Sequence, residues 1–133
     1  MCFLLNNAVN CFFCYYSGVV GGDETGIRVN GKKAWFWVFQ NSFYTFIKSS
    51  YSRGYKTISE TFPEGFPLSV YVSDSLAAQL KTPTKAKQLC MAHLIRELKN
   101  FEQALESQWA TELKQLFKET RGLPKVGSKR TKI

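Results

Sequence analysis

Nothing in this chain resembles the cysteine framework of a secreted protein. Its four cysteines are Cys2, Cys11, Cys14 and Cys90, three of them within the first fourteen residues, and reduced thiols in a cytoplasm are expected. No signal peptide is evident either. The opening stretch from Met1 to Val20 is nearly all apolar or small, yet it lacks a basic start and a clear cleavage site. Asn6, Asn7 and Asn10 interrupt it and would each be costly in a membrane span, so a membrane anchor is not expected. Histidine occurs once, at His93, and there is no internal repeat. Acids are scarce, with 10 Asp+Glu against 18 Lys+Arg and a formal net charge of +8. That balance suits a polyanionic partner such as DNA, and it equally suits solvated lysines. Part of it is local, since Lys125, Lys129, Arg130 and Lys132 lie in the tail.

What is present reads as one folded domain. The 133 residues are 44% hydrophobic and 15% aromatic, enough for a core and too apolar for a disordered chain. Val19-Val20 leads into an extended run through Ile27 and Val29. Asn30-Gly31 is the strongest hairpin signal, because both residues tolerate the positive φ of a type I′ turn. Lys33 to Gln40 returns as a strand apolar on both faces, with Trp35, Trp37 and Phe39 against Ala34, Phe36 and Val38, so cover on both sides is expected. Phe43 to Ser49 alternates as a third strand, and Tyr55 to Phe62 forms a short helix with Ile58 and Phe62 inward. Leu68 to Val72 is β-rich, Ser75 to Leu80 is helical, and Lys85 to Cys90 is a fifth strand. One long helix is expected from Ala92 to Thr120, with Leu94, Leu98, Phe101, Leu105, Trp109, Leu113, Leu116 and Phe117 on one face. A stripe of that length left open predicts self-association or poor solubility.

Two aspartates stand at expected strand ends, Asp23 in Gly22-Asp23-Glu24-Thr25-Gly26 and Asp74 after Val70-Tyr71-Val72-Ser73. The element order is a three-strand meander, a helix, a parallel strand, a short helix, another strand and a helix. That is the order of a ribonuclease-H-like core, α/β in class, in which the first and fourth strands are neighbours. Asp23 and Asp74 would then meet at one end of the sheet. Facing carboxylates supply the oxygen ligands that magnesium prefers, and a pair of such ions drives displacement at phosphorus.

The residues also carry a family resemblance. Asp23-Glu24-Thr25-Gly26-Ile27-Arg28-Val29-Asn30-Gly31-Lys32 resembles the first catalytic block of transposases of the insertion sequence 66 family. Arg53-Gly54 and Leu68 to Asp74 resemble its following blocks, and Cys90-Met91-Ala92-His93-Leu94-Ile95-Arg96-Glu97-Leu98 is similar to its Cys-x-Ala-His-Leu-x-Arg-Glu-Leu block. Four blocks in order cover about Val19 to Leu105. The resemblance implies a DDE-type transposase that nicks transposon ends with metal-activated water and joins the freed 3′-hydroxyl to target DNA. Its cofactor would be magnesium or manganese, its partners DNA and full-length transposase, and its place the cytoplasm. Asp23 and Asp74 match the first two acids of the triad. The third, a glutamate, lies in the family beyond a helical insertion, within which this chain ends. A truncated protein, inactive alone, is therefore expected. The expected organisation is an anomalous apolar segment over 1–18, a partial catalytic core over 19–91, the long helix over 92–121 and a basic disordered tail over 122–133.

Each residue also has a plainer role. Asp23 and Asp74 could simply cap or turn the chain. Glu24 follows Asp23 directly, so alternation sends it to the other face, where a structural role is expected. Glu97 is the rival third carboxylate, against a salt bridge or a solvated helix face. His93 could contact DNA or order the site, or sit satisfied at a helix start. Arg96, Lys99 and Lys114 could touch phosphates or only keep a helix soluble. Trp35 and Trp37 could stack on bases, but core packing is the expectation. Cys11, Cys14, Cys90 and His93 are of the right types for zinc, although 76 positions (90 − 14) separate the pairs. Two other classes stay open: a non-catalytic remnant that binds DNA or the intact transposase, and a small membrane-tethered or structural protein.

Overall fold

Asn30 and Gly31 turn the chain with φ of 49° and 76°, the positive values that an Asn-Gly hairpin adopts at little cost. On either side run β1 (Val19–Val29) and β2 (Lys32–Gln40), antiparallel from Gly21↔Gln40 to Val29↔Lys32. The computed structural model describes residues 16–122. They fall into two compact units that divide between Cys90 and Met91.

In the first unit the described residues form a mixed five-stranded sheet with two short helices. After β2 come β3 (Thr45–Ser50), α1 (Tyr55–Thr61), β4 (Phe66–Ser73), α2 (Ala77–Leu80) and β5 (Thr84–Leu89). The sheet order is β3-β2-β1-β4-β5. β1 to β3 form an antiparallel meander, β4 joins β1 in parallel, and β5 joins β4 in parallel. β3 starts later than the alternation suggests. Asn41 Oδ1 accepts hydrogen bonds from the backbone N–H groups of Phe43 and Tyr44, each at 2.8 Å, which holds both residues in the turn. Phe43 is 77% exposed as a result. Pro67 lies within β4, and the pairing of β4 with β5 is irregular between Phe66 and Val70, as expected where proline removes a ladder donor.

Alternation gives one sheet face its core. Val20, Trp37, Phe39, Phe46 and Tyr71 meet Ile58 and Phe62 around α1, together with Phe66 and Ala78. Phe39 is edge-on to Phe62 at 4.9 Å, and Phe66 stacks on Tyr71 at 5.1 Å. Each such buried aromatic stabilises the fold by about 1.5–3 kcal/mol. Trp37 is fully buried, and its indole N–H donates to the Ser52 carbonyl at 3.1 Å, so it is a core residue and not a base-stacking one. The opposite face is less closed than the doubly apolar β2 suggested. Phe36 and Ile47, on neighbouring strands, are 39% and 45% exposed. Cover on both sides of β2 is therefore incomplete.

The second unit corrects the expectation of one long helix. It is a pair, α3 (Met91–Leu105) and α4 (Gln108–Gly122). Between them Glu106 takes φ of 46°, a left-handed conformation that stops a helix of L-residues. Phe101 and Trp109 meet across the bend at 5.7 Å between ring centroids. Glu102 on α3 accepts from Thr111 at 2.9 Å and pairs with Lys114, both on α4. The partner that the stripe required is thus its own second half. Among the described residues no helix is long and apolar enough to cross a membrane.

Candidate functional site

Parallel pairing of β1 with β4 runs Val19↔Val70, Val20↔Tyr71, Gly21↔Val72. The offset is 51 positions (70 − 19), and the same offset separates Asp23 from Asp74 (74 − 23). Continued two residues beyond Gly21↔Val72, that register would set the two aspartates level with each other. Val19, Gly21 and Asp23 share one face by alternation, and Val70, Val72 and Asp74 follow the same phase.

Local bonds hold both carboxylates. Asp23 is exposed, and its Oδ1 accepts the N–H of Glu24 at 2.9 Å. Asp74 is half-buried just past β4. Its Oδ1 accepts the N–H of Leu76 at 3.0 Å, an Asx-type bond that opens the turn into α2. Cys90 N–H donates to the carbonyl of Ser73 at 2.6 Å, tying the end of β5 beside Asp74.

The neighbouring carboxylate faces the other way. Glu24 lies on the core side of β1, with its side chain only 1% exposed. Arg53 donates to its Oε1 from Nε at 2.9 Å and from Nη2 at 2.6 Å, and Gln79 Nε2 donates to Oε2 at 2.5 Å. The guanidinium also lies 4.7 Å from the centre of the Trp35 ring. Beside this network Tyr71 Oη reaches Gln79 at 3.4 Å. Burial first, and then the negative charges of Glu24, Asp74 and Asp23, push the Tyr71 phenol well above its ordinary range, so it stays protonated. Gly22 leaves the space for it, since a Cβ there would lie 2.0 Å from Tyr71 Oη. Glu24 thus joins β1 to the loop before α1 and to α2, the helix that starts just beyond Asp74.

Alternation sends Glu24 to the face opposite Asp23, and the packing of that face encloses it in a structural network. Its partners were not foreseen. Arg53 and Gln79 are 29 and 55 positions away, and the one available signal was that a buried carboxylate demands a cation. The remaining candidates divide between the units. Cys90 ends the first, while His93, Arg96, Glu97 and Lys99 lie on α3 in the second, with Arg96, Glu97 and Lys99 exposed. Lys114 is taken up by Glu102. Trp35 is half-buried under Lys33 and Arg53. Cys11 and Cys14, half of the zinc set, lie outside the described residues, as does most of the apolar opening segment and all of the basic tail from residue 123.

The pair fits a divalent ion in part. Magnesium is commonly bound through one or two carboxylates and keeps several waters, which two exposed or half-exposed aspartates permit. Among the described residues no group of three or more His, Cys, Asp or Glu side chains is arranged to hold a metal.

No curated protein and no solved structure matches the chain. A family model does: the one described as Transposase IS66 family matches residues 14–126, most of the length. The chain therefore belongs to the IS66 family of transposases.

Proposed function

We propose that the first unit is the metal-binding part of a ribonuclease-H-like, DDE-type transposase core, with Asp23 and Asp74 as its first two acids and DNA as its substrate. The observation that carries this is the common offset of 51 positions (70 − 19 and 74 − 23), which supports a facing pair at the β1–β4 junction. Family membership supports the reaction class, and the net charge of +8 supports a polyanionic substrate. A magnesium or manganese ion bound by the pair would supply an activated water and neutralise charge at phosphorus. The chain's own contribution is positional. The Glu24 N–H fixes the Asp23 carboxylate, the Leu76 N–H fixes that of Asp74, and the Glu24–Arg53–Gln79 network holds the two supporting elements together.

A complete two-ion site needs a third acid. None stands with the pair among the described residues, so we expect no robust strand transfer from this chain alone. The same observation favours, as the second reading, a protein that binds DNA or an intact transposase without cutting. Both readings fit a DNA-associated protein of the cytoplasm.

The experiment is magnesium-dependent nicking of a supercoiled plasmid, beside Asp23→Asn and Asp74→Asn. Nicking abolished by both substitutions, together with manganese binding that both weaken, is the expected result for a working pair. Manganese binding without nicking fits the incomplete triad. A folded protein whose manganese affinity is the same in all three forms overturns the metal assignment.

A further inference from the structure

Past Glu24, the meander half of the sheet carries charge of one sign only. From Thr25 to Ser59 there are six cations, Arg28, Lys32, Lys33, Lys48, Arg53 and Lys56, and no acid. Arg53 is neutralised by Glu24 and Lys56 faces Glu60. Among the described residues no carboxylate is paired with Arg28, Lys32, Lys33 or Lys48. Three of these four sit at the tip of the β1–β2 hairpin.

The tip projects. β3 pairs with β2 only as far as Trp35↔Ser50, and the β4 pairing of β1 spans Val19 to Gly21. From Ile27 to Ala34 the sheet is therefore a two-stranded ribbon. Arg28 is the direct cross-strand partner of Lys33, and Val29 that of Lys32. Alternation puts Arg28 and Lys33 on one face and Lys32 on the other. Like charges directly opposite each other destabilise a strand pair, so the fold retains a repulsion here that no internal carboxylate relieves. Beneath it lies a pocket of about 330 Å³ lined by Gly26, Ile27, Arg28 and Lys33. Trp35 stiffens the base of the ribbon, with Lys33 Nζ 4.9 Å and Arg53 Cζ 4.7 Å from its ring centre.

We infer that this ribbon is a DNA-docking arm that enters a groove of the duplex, with Arg28 and Lys33 on the phosphates of one wall and Lys32 on those of the other. The major groove of B-DNA admits a two-stranded β-ribbon, and cations on both faces suit a groove with phosphates on both walls. Phosphate contacts of this kind fix position and orientation without reading sequence. The inference rests on DNA being the substrate, and it adds a surface separate from the aspartate pair. Asp23 lies five residues before Arg28 on β1, about 17 Å along an extended strand.

The test is fluorescence anisotropy of the full chain with a labelled random-sequence DNA duplex over a range of salt. The ribbon variant is Arg28→Gln/Lys32→Gln/Lys33→Gln. The control, Lys81→Gln/Lys85→Gln/Lys118→Gln, removes the same charge elsewhere. Each phosphate contact contributes about 0.9 to the slope of log K against log salt. The ribbon variant is expected to lose about 2.7 of slope, and the control much less. Equal loss in both overturns the inference and leaves only non-specific charge. Should the triple variant fail to fold, Lys32→Gln alone carries the test, with an expected loss of about 0.9; no loss overturns the inference. A wild-type chain that does not bind the duplex overturns the DNA substrate as well. Loss of nicking in the aspartate variants alongside an unchanged ribbon slope overturns the docking arm alone.

Discussion

At the scale of single residues, adjacent acids on β1 have opposite fates. Asp23 is exposed and Glu24 is almost wholly enclosed. Removing the cation from a buried pair leaves an uncompensated charge, whereas making the carboxylate neutral does not. Arg53→Ala is therefore expected to cost about 3 kcal/mol. Glu24→Gln is expected to cost about 1 kcal/mol, because the Arg53 side chain is 48% exposed and can be solvated. Urea denaturation of the two variants checks this, and the reverse order would show that Glu24 is not the group that needs its partner. Sequence alternation was enough to send Glu24 to the face opposite Asp23, whereas the register that relates β1 to β4 comes from their pairing. The identity of Arg53 and Gln79 was not legible, because those contacts are created by packing of α1 and α2 and leave no local pattern.

At the scale of elements, the sheet was far easier to read than the helices beyond it. Asn30-Gly31 has a strong local backbone preference, and the structure realises it with two positive φ values. The split between α3 and α4 has no such signature in the apolar periodicity, because Leu105 and Trp109 keep the helical spacing straight across the bend. The usable sign was polar: Glu106-Ser107 interrupts the stripe, and serine is a favoured residue at a helix start. The resulting hairpin is expected to respond to pH in a defined direction. The hydrogen bond from Lys114, and then that from Thr111, hold the Glu102 carboxyl below its ordinary range. A depressed folded-state value means that the stabilisation is present above the ordinary carboxylate range and is lost as pH falls through the folded-state value. Thermal melting of wild type and Glu102→Gln should therefore differ at neutral pH and converge in acid. A gap that persists in acid would assign the difference to packing.

At the scale of the whole molecule, folding back does not remove all the apolar surface of the helical stripe. Leu98 and Ala110 are buried, but Leu105, Trp109 and Leu116 remain 68%, 56% and 53% exposed. Exposed apolar residues of this size favour association. Sedimentation is expected to show concentration-dependent self-association that Leu105→Lys/Leu116→Lys reduces. A wild-type monomer at high concentration would contradict this.

The parallel β1–β4 pairing also has a consequence in time. Glu102 and Lys114 are 12 positions apart, whereas Glu24 and Gln79 are 55 apart. A growing chain can close the α-helical hairpin as soon as it emerges. β1 is made first, yet its parallel neighbour β4 is complete only about 50 residues later, roughly 3–10 s at ordinary rates of synthesis. During that interval the future centre of the sheet is the edge of a three-strand meander, open to pairing with another nascent chain. The strand that carries Asp23, interior in the finished sheet, is thus an open edge while the protein is being made.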